Sequence, residues 1–178
     1  AMLPRMGAGA CAAVGAGRGA SEAGAAFFNG GFGNVLEMDD IHRTSILHPG
    51  PVVIPAALAA AEARGAGADA FLDAVVRGYE AVIRIGASVG PGHYALWHNT
   101  STCGPFGAAA AVVSLAGGDE DAAVWALGNA GAQAAGPWRC RHERVPTKQL
   151  HTARAAESGL AAGWLAAEGF AGPEGMLE

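Results

Sequence analysis

An all-α fold, a bundle of helices apolar on most faces, is what three features of this chain predict. About a quarter of its 178 residues are alanine and 28 are glycine, so its helices carry little bulk and can approach closely. Phe71, Val75, Tyr79, Val82 and Ile83 recur at helical spacing and fall on one face of a single long helix. No alternating apolar run of useful length reads as a strand.

Taken in order, residues 1–20 are rich in glycine and alanine with little periodicity and read as an irregular or extended entry. Ser21 and Glu22 can cap a first helix, which the glycine pair at 30 and 31 would stop. Residues 36–50 read as a loop. Pro55 would open a second helix that Gly65 closes. Asp69 would cap the long amphipathic helix that follows. The stretch 94–107 precedes a helix of small residues from Gly107. Asp119 or Glu120 starts another, ending at Gly136-Pro137, and Thr147 opens the last. With no internal repeat and no linker, residues 1–178 are expected to form one helical domain.

Bulk properties exclude several classes. The chain is 51% hydrophobic, only 15% charged, and carries a formal charge of −5, which is unlike a disordered segment. No lysine or arginine run could follow a phosphate backbone, so nucleic acid is not an expected partner. The most apolar stretch, 100–117, is interrupted by Gly104, Pro105 and Gly107, and no membrane span is expected. The N-terminus lacks the leucine-rich core of a signal peptide. Three cysteines without ligand-like spacing fit free thiols and a cytoplasmic location. So few charges over a greasy surface suggest burial against a second subunit, a homodimer.

Three polar islands interrupt this background. The last, around 146–154, contains Lys148, the only lysine in the chain. A lysine, unlike an arginine, can be shifted by its surroundings and can exchange a proton. His151 follows one turn later on the same face, while Arg154 only borders it. The first island holds Glu37, Asp39 and Asp40, with His42, Arg43 and His48 behind. These could hold a metal, run acid–base chemistry or cap a turn. Ligand spacings for zinc or calcium are absent, so no metal is expected. The middle island, WHNTSTCGPFG, resembles a helix N-terminus. Thr100, Ser101, Thr102 and the backbone at Cys103 and Gly104 could receive an anion there, with His98 just ahead. Cys103 is read as a small buried residue rather than a nucleophile. Cationic or basic side chains with anion-holding backbone suit a small di- or tricarboxylate. Neither a phosphate-binding loop nor a dinucleotide fingerprint is present.

The succession LEMDDIHRTSILHPGPVVIPAALAAAE, GYEAVIRIG, WHNTSTCGPFGAAAA and KQLHTARAAESGLAAGWLAAEGF resembles the helical domain of the MmgE/PrpD family from about Ala25 onward. That family includes 2-methylcitrate dehydratase, cis-aconitate decarboxylase and iminodisuccinate epimerase. The resemblance implies cofactor-free proton transfer alpha to a carboxylate, by a lyase or an isomerase. It places catalytic roles on His48, His98 and Lys148, with Asp40 orienting His48. Substrate contacts are expected from Glu37, Asp39, Thr44, Thr100, Ser101 and His151. Glu37 stands where the family usually has aspartate, and the spacing from Asp40 to His48 is one residue longer than the family pattern. The family's α/β lid domain is expected to be absent from this chain, so a separate lid-type subunit or a dimer partner would close the site. A non-catalytic ligand-binding or scaffold protein on the same fold is the alternative.

Overall fold

The computed structural model describes residues 6–178. Among them the chain forms a two-residue hairpin and seven α-helices. β1 (Cys11–Ala12) pairs antiparallel with β2 (Gly19–Ala20), with Cys11 opposite Ala20 and Ala12 opposite Gly19. The entry read as irregular or extended thus contains an extended pair, and its residues 1–5 lie outside the described residues. Burial explains the pair: Cys11, Ala13 and Ala20 sit in the main core cluster with Val52, Ala56 and Leu160. The helices are α1 (Glu22–Gly33), α2 (Gly50–Arg64), α3 (Ala68–Ser88), α4 (Pro91–Leu96), α5 (Asn99–Leu115), α6 (Glu120–Gly131) and α7 (Thr147–Ala167). A short 3₁₀ turn spans Trp138–His142.

The all-α prediction stands, but several boundaries moved for packing reasons. α1 continues through its glycine pair, because a Cβ on Gly30 would meet the Ala156 side chain at 3.0 Å and the Thr152 carbonyl at 3.1 Å. Close approach to α7, not helix termination, is what Gly30 provides. α2 begins at Gly50 rather than Pro55, with Pro51 in its first turn and Pro55 inside. Proline is tolerated at the start, where its missing N–H would lack a helical partner. α3 takes Gly67 as its cap, leaving Asp69 in the first turn. α6 stops at Gly131, well before Gly136-Pro137.

α5 is the central helix. Its residues from Asn99 to Ala109 are all buried, under α2, α3, α6 and α7. A helix this uniformly small and apolar can only be an inner one. Gly78 of α3 and Gly107 of α5 meet back to back: a Cβ on either would lie 2.7 Å from the other's carbonyl oxygen. The apolar face predicted for α3 packs as expected, with Val82 buried and Phe71, Val75, Tyr79 and Ile83 against Leu47 and Val53.

At the far end of the bundle Asp119 caps α6, accepting the Ala122 N–H at 3.0 Å. Asp119→Ala removes that acceptor, which costs about 1 kcal/mol. A thermal melt followed by circular dichroism is expected to show a midpoint about 2–4 °C lower. Among the described residues no helix is long and apolar enough to cross a membrane.

Candidate active site

The loop between α1 and α2 folds back on itself and delivers His48 beside the start of α5. His48 donates its backbone N–H to Thr100 Oγ1 at 3.0 Å. Its ring Nδ1 faces two acceptors, Asp39 Oδ2 at 2.9 Å and the Asp40 carbonyl at 3.0 Å. Two acceptors on one nitrogen assign a proton to Nδ1, so Nε2 is the nitrogen left to exchange a proton. A histidine with a carboxylate behind it is the arrangement of a general acid or base.

The two aspartates divide the work differently from the expectation. Asp39, not Asp40, backs His48 with its carboxylate. Asp40 instead accepts the Gly50 N–H at 3.0 Å and the Tyr79 hydroxyl at 3.0 Å. Gly50 opens α2, so Asp40 satisfies an otherwise partnerless helical N–H and ties α2 to α3. Burial and the Asp40 charge hold the Tyr79 hydroxyl protonated, well above the usual phenol range. Asp39 is in turn clamped by Asn34 Nδ2, which donates to both carboxylate oxygens at 3.0 and 2.9 Å.

α5 and α7 supply the opposite wall. His98, buried at the N-cap of α5, meets His151 of α7 through their Nδ1 atoms at 3.2 Å. One of these nitrogens must donate and the other accept, so at most one ring can be charged. The Trp138 ring lies flat on His98, with centroids 4.1 Å apart and planes 7° from parallel. Burial pushes His98 down to about 3, helped by repulsion from His151, Lys148 and His48 in turn. His151 is lowered by burial as well. Near neutral pH both rings are uncharged and act through N–H and lone pairs rather than as cations. Since the donor and acceptor Nδ1 atoms are paired, one ring offers an Nε2–H and the other an Nε2 lone pair.

Lys148 lies one turn before His151 and forms an ion pair with Glu37 of the first loop. His48 bonds to Thr100, His98 meets His151 and Lys148 pairs with Glu37, so the three sequence islands converge on one cluster. The middle island does not offer the open N-terminus that was expected. α5 starts at Asn99, so Thr100, Ser101 and Thr102 lie in its buried first turn. The His98 carbonyl already takes the Ser101 and Thr102 N–H groups, at 2.8 and 3.0 Å. Cys103 and Gly104 are interior to the helix, and burial pushes the Cys103 thiol up, which removes it as a nucleophile. Thr100 therefore positions His48, and Ser101 is buried beneath Gly136. Thr44 is exposed in the turn that joins His42 to Leu47. Arg154 pairs with Glu157 and stacks over Phe27, away from the cluster.

Trp138, Asn34 and Tyr79 were not read from the sequence as parts of the site. Trp138 alone had a usable signal, an aromatic in the otherwise polar run PWRCRHERVP. Among the described residues no group of three or more His, Cys, Asp or Glu side chains is placed to hold a metal ion. A cavity of about 320 Å³ borders Asp39 and Asp40, but its other walls, including Val14, Phe32, Pro51 and Ile54, are mainly apolar.

Fold and cluster together define an all-α domain that gathers histidines, one lysine and carboxylates at the ends of its helices. The chain matches the family described as MmgE/PrpD N-terminal domain over residues 1–178 and belongs to that family. It is 34% identical over 174 residues to the cis-aconitate decarboxylase-like protein oryM of Aspergillus oryzae (strain ATCC 42149 / RIB 40), covering 92% of this chain and 36% of that protein. It is also 34% identical over 179 residues to cis-aconitate decarboxylase of Aspergillus terreus, covering 96% of this chain and 36% of that protein. The chain thus spans about a third of the length of the curated relatives it matches.

Proposed function

We propose that this domain carries the proton-transfer and carboxylate-holding face of a cofactor-independent lyase or isomerase that acts on a small polycarboxylate. The observation that supports this most is His48, whose Nδ1 is held by Asp39 and whose Nε2 is left to exchange a proton. Relatives named cis-aconitate decarboxylase make an unsaturated tricarboxylate the first acid to test.

The chemistry asks for two things, a group that moves a proton at carbon and donors that hold a growing negative charge. His48 does the first. In a decarboxylation the bond from carbon to one carboxylate breaks and carbon dioxide leaves. The electron pair spreads into a remaining carboxylate, and His48, entering as imidazolium, returns a proton to carbon and ends neutral. In a dehydration His48 starts neutral, removes the alpha proton and passes it to the departing hydroxyl, which leaves as water; in an epimerisation it removes the proton from one face while the Nε2–H of the His98–His151 pair returns one to the other. Lys148 receives a carboxylate with its ammonium. The His98–His151 pair offers one neutral N–H beside it, a donor that adds no cation to repel the His48 imidazolium. Asp39 and Thr100 position His48, Asp40 fixes the helix that follows it, and Glu37 shares the Lys148 subsite. Further chain, from a longer polypeptide or from a dimer partner, closes the cluster against water.

The test is incubation with cis-aconitate and a panel of di- and tricarboxylates in heavy water, followed by mass spectrometry. Deuterium is expected alpha to a carboxyl group with the wild-type chain, and its loss is expected with Lys148→Ala. No uptake with any acid would overturn catalysis by this chain alone and leave a binding protein.

A further inference from the structure

We infer that Glu37 is an internal competitor at the carboxylate subsite: in the free protein its carboxylate occupies the position on Lys148 that a substrate carboxylate takes, so a ligand must displace it. This rests on the reading of Lys148 as a carboxylate subsite. Lys148 is the only lysine, and its one ion-pair partner among the described residues is Glu37, 111 positions away in sequence.

The segment that carries Glu37 is built as a closed loop with a free tip. Its base is tied: Asn34, fully buried, donates to both oxygens of Asp39, and its carbonyl accepts from Gln149 Nε2 at 3.5 Å. Gln149 is the neighbour of Lys148 on α7, so the base is anchored beside the lysine. Its tip is exposed, with Leu36 75% and Met38 85% accessible. Glu37 itself has φ 53°, a left-handed backbone that a glutamate adopts only under constraint. Release of Glu37 from Lys148 frees that backbone to relax. The tied base keeps Asp39 on His48 meanwhile, so the proton-transfer pair survives the exchange.

A tethered carboxylate competes at an effective concentration on the order of millimolar. A monocarboxylate matches Glu37 in charge and has no further contact to offset the tether. A di- or tricarboxylate can engage Lys148 with one group and reach the neutral His98–His151 pair with another. The displacement cost is common to every carboxylate that takes Lys148, so Glu37 sets the concentration at which the subsite fills, and a ligand with a second contact fills it at lower concentration.

Calorimetric titration with citrate and with acetate tests this on wild type, Glu37→Gln, Lys148→Met and the double variant. Glu37→Gln is expected to bind citrate about threefold more tightly, the size expected for release of one exposed ion pair. Acetate is expected to gain by the same factor, because both acids displace the same carboxylate. In the Lys148→Met background the Glu37 change should make no difference. Citrate affinity that is unchanged or lower in Glu37→Gln overturns the inference while leaving the subsite intact, provided that Lys148→Met still weakens binding. Citrate binding that ignores Lys148→Met removes the carboxylate subsite, and the inference falls with it.

Discussion

His48→Gln is expected to reduce deuterium incorporation by about 10²–10⁴-fold, the full contribution of a positioned acid–base group. Glutamine is close in size and can keep the contact to Asp39, but its amide neither takes nor gives a proton near neutral pH. The loss should fall on turnover, with KM nearly unchanged, because the carboxylates are held elsewhere. Steady-state exchange rates measured against substrate concentration separate the two. The contrast is with Lys148→Ala, where KM should rise as well, since the ammonium holds ground state and transition state alike. An equal fall in both variants with unchanged KM would place the two residues in the same step and remove His48 as the distinct proton carrier.

The fold was legible from alanine content, caps and the α3 stripe, while the boundaries were not. Gly30 read as a helix stop, Pro55 as a helix start and Pro105 as an interruption, yet each lies within a helix. Local propensity loses there to packing, since only glycine lets α1 approach α7 so closely and an inner helix such as α5 gains its stability from its neighbours. The site was legible at the level of islands, because polar clusters in a greasy chain need a reason to exist. Their division of labour was not. Asp39 and Asp40 are adjacent, and nothing in their order says which backs His48 and which closes α2. That depends on the turn between them, and the structure gives the carboxylate contact with His48 to the first and the helix contact to the second. Thr100 and Ser101 looked like anion donors because a helix start was placed several residues too late. Trp138 stood out as an aromatic in a polar run, but its partner could not be read, because its stack on His98 is a contact across separate segments.

Electrostatic design follows from the same geometry. Three histidines and one lysine gathered without counter-charges would repel each other. The structure resolves this by giving Asp39 to His48 and Glu37 to Lys148, and by burying His98 and His151 in a pair that stays neutral. Burial is therefore what lets basic groups share so small a volume.

Acid should destabilise this domain well before its carboxylates titrate, and His98 is the reason. In the unfolded chain a histidine takes up its proton near the ordinary value of about 6.5. In the folded protein His98 does so only near 3. Between those values the unfolded state binds more protons, so stability rises with pH across that window and falls as pH drops through it. Above about 6.5 the contribution is complete and flat. The full effect would be on the order of several kcal/mol if the domain stayed folded to the bottom of the window, and a marginally stable domain should unfold earlier. His151, lowered in the same direction, adds to the slope. Urea midpoints between pH 7 and pH 4 are expected to fall steeply for wild type and less steeply for His98→Gln. Should that variant fold poorly, histidine ring resonances in the wild type give the same answer. His98 is expected to stay neutral at pH 4.5, where an ordinary histidine is fully protonated, and a ring that titrates near 6.5 would show that the Trp138 stack and the His151 contact do not shield it.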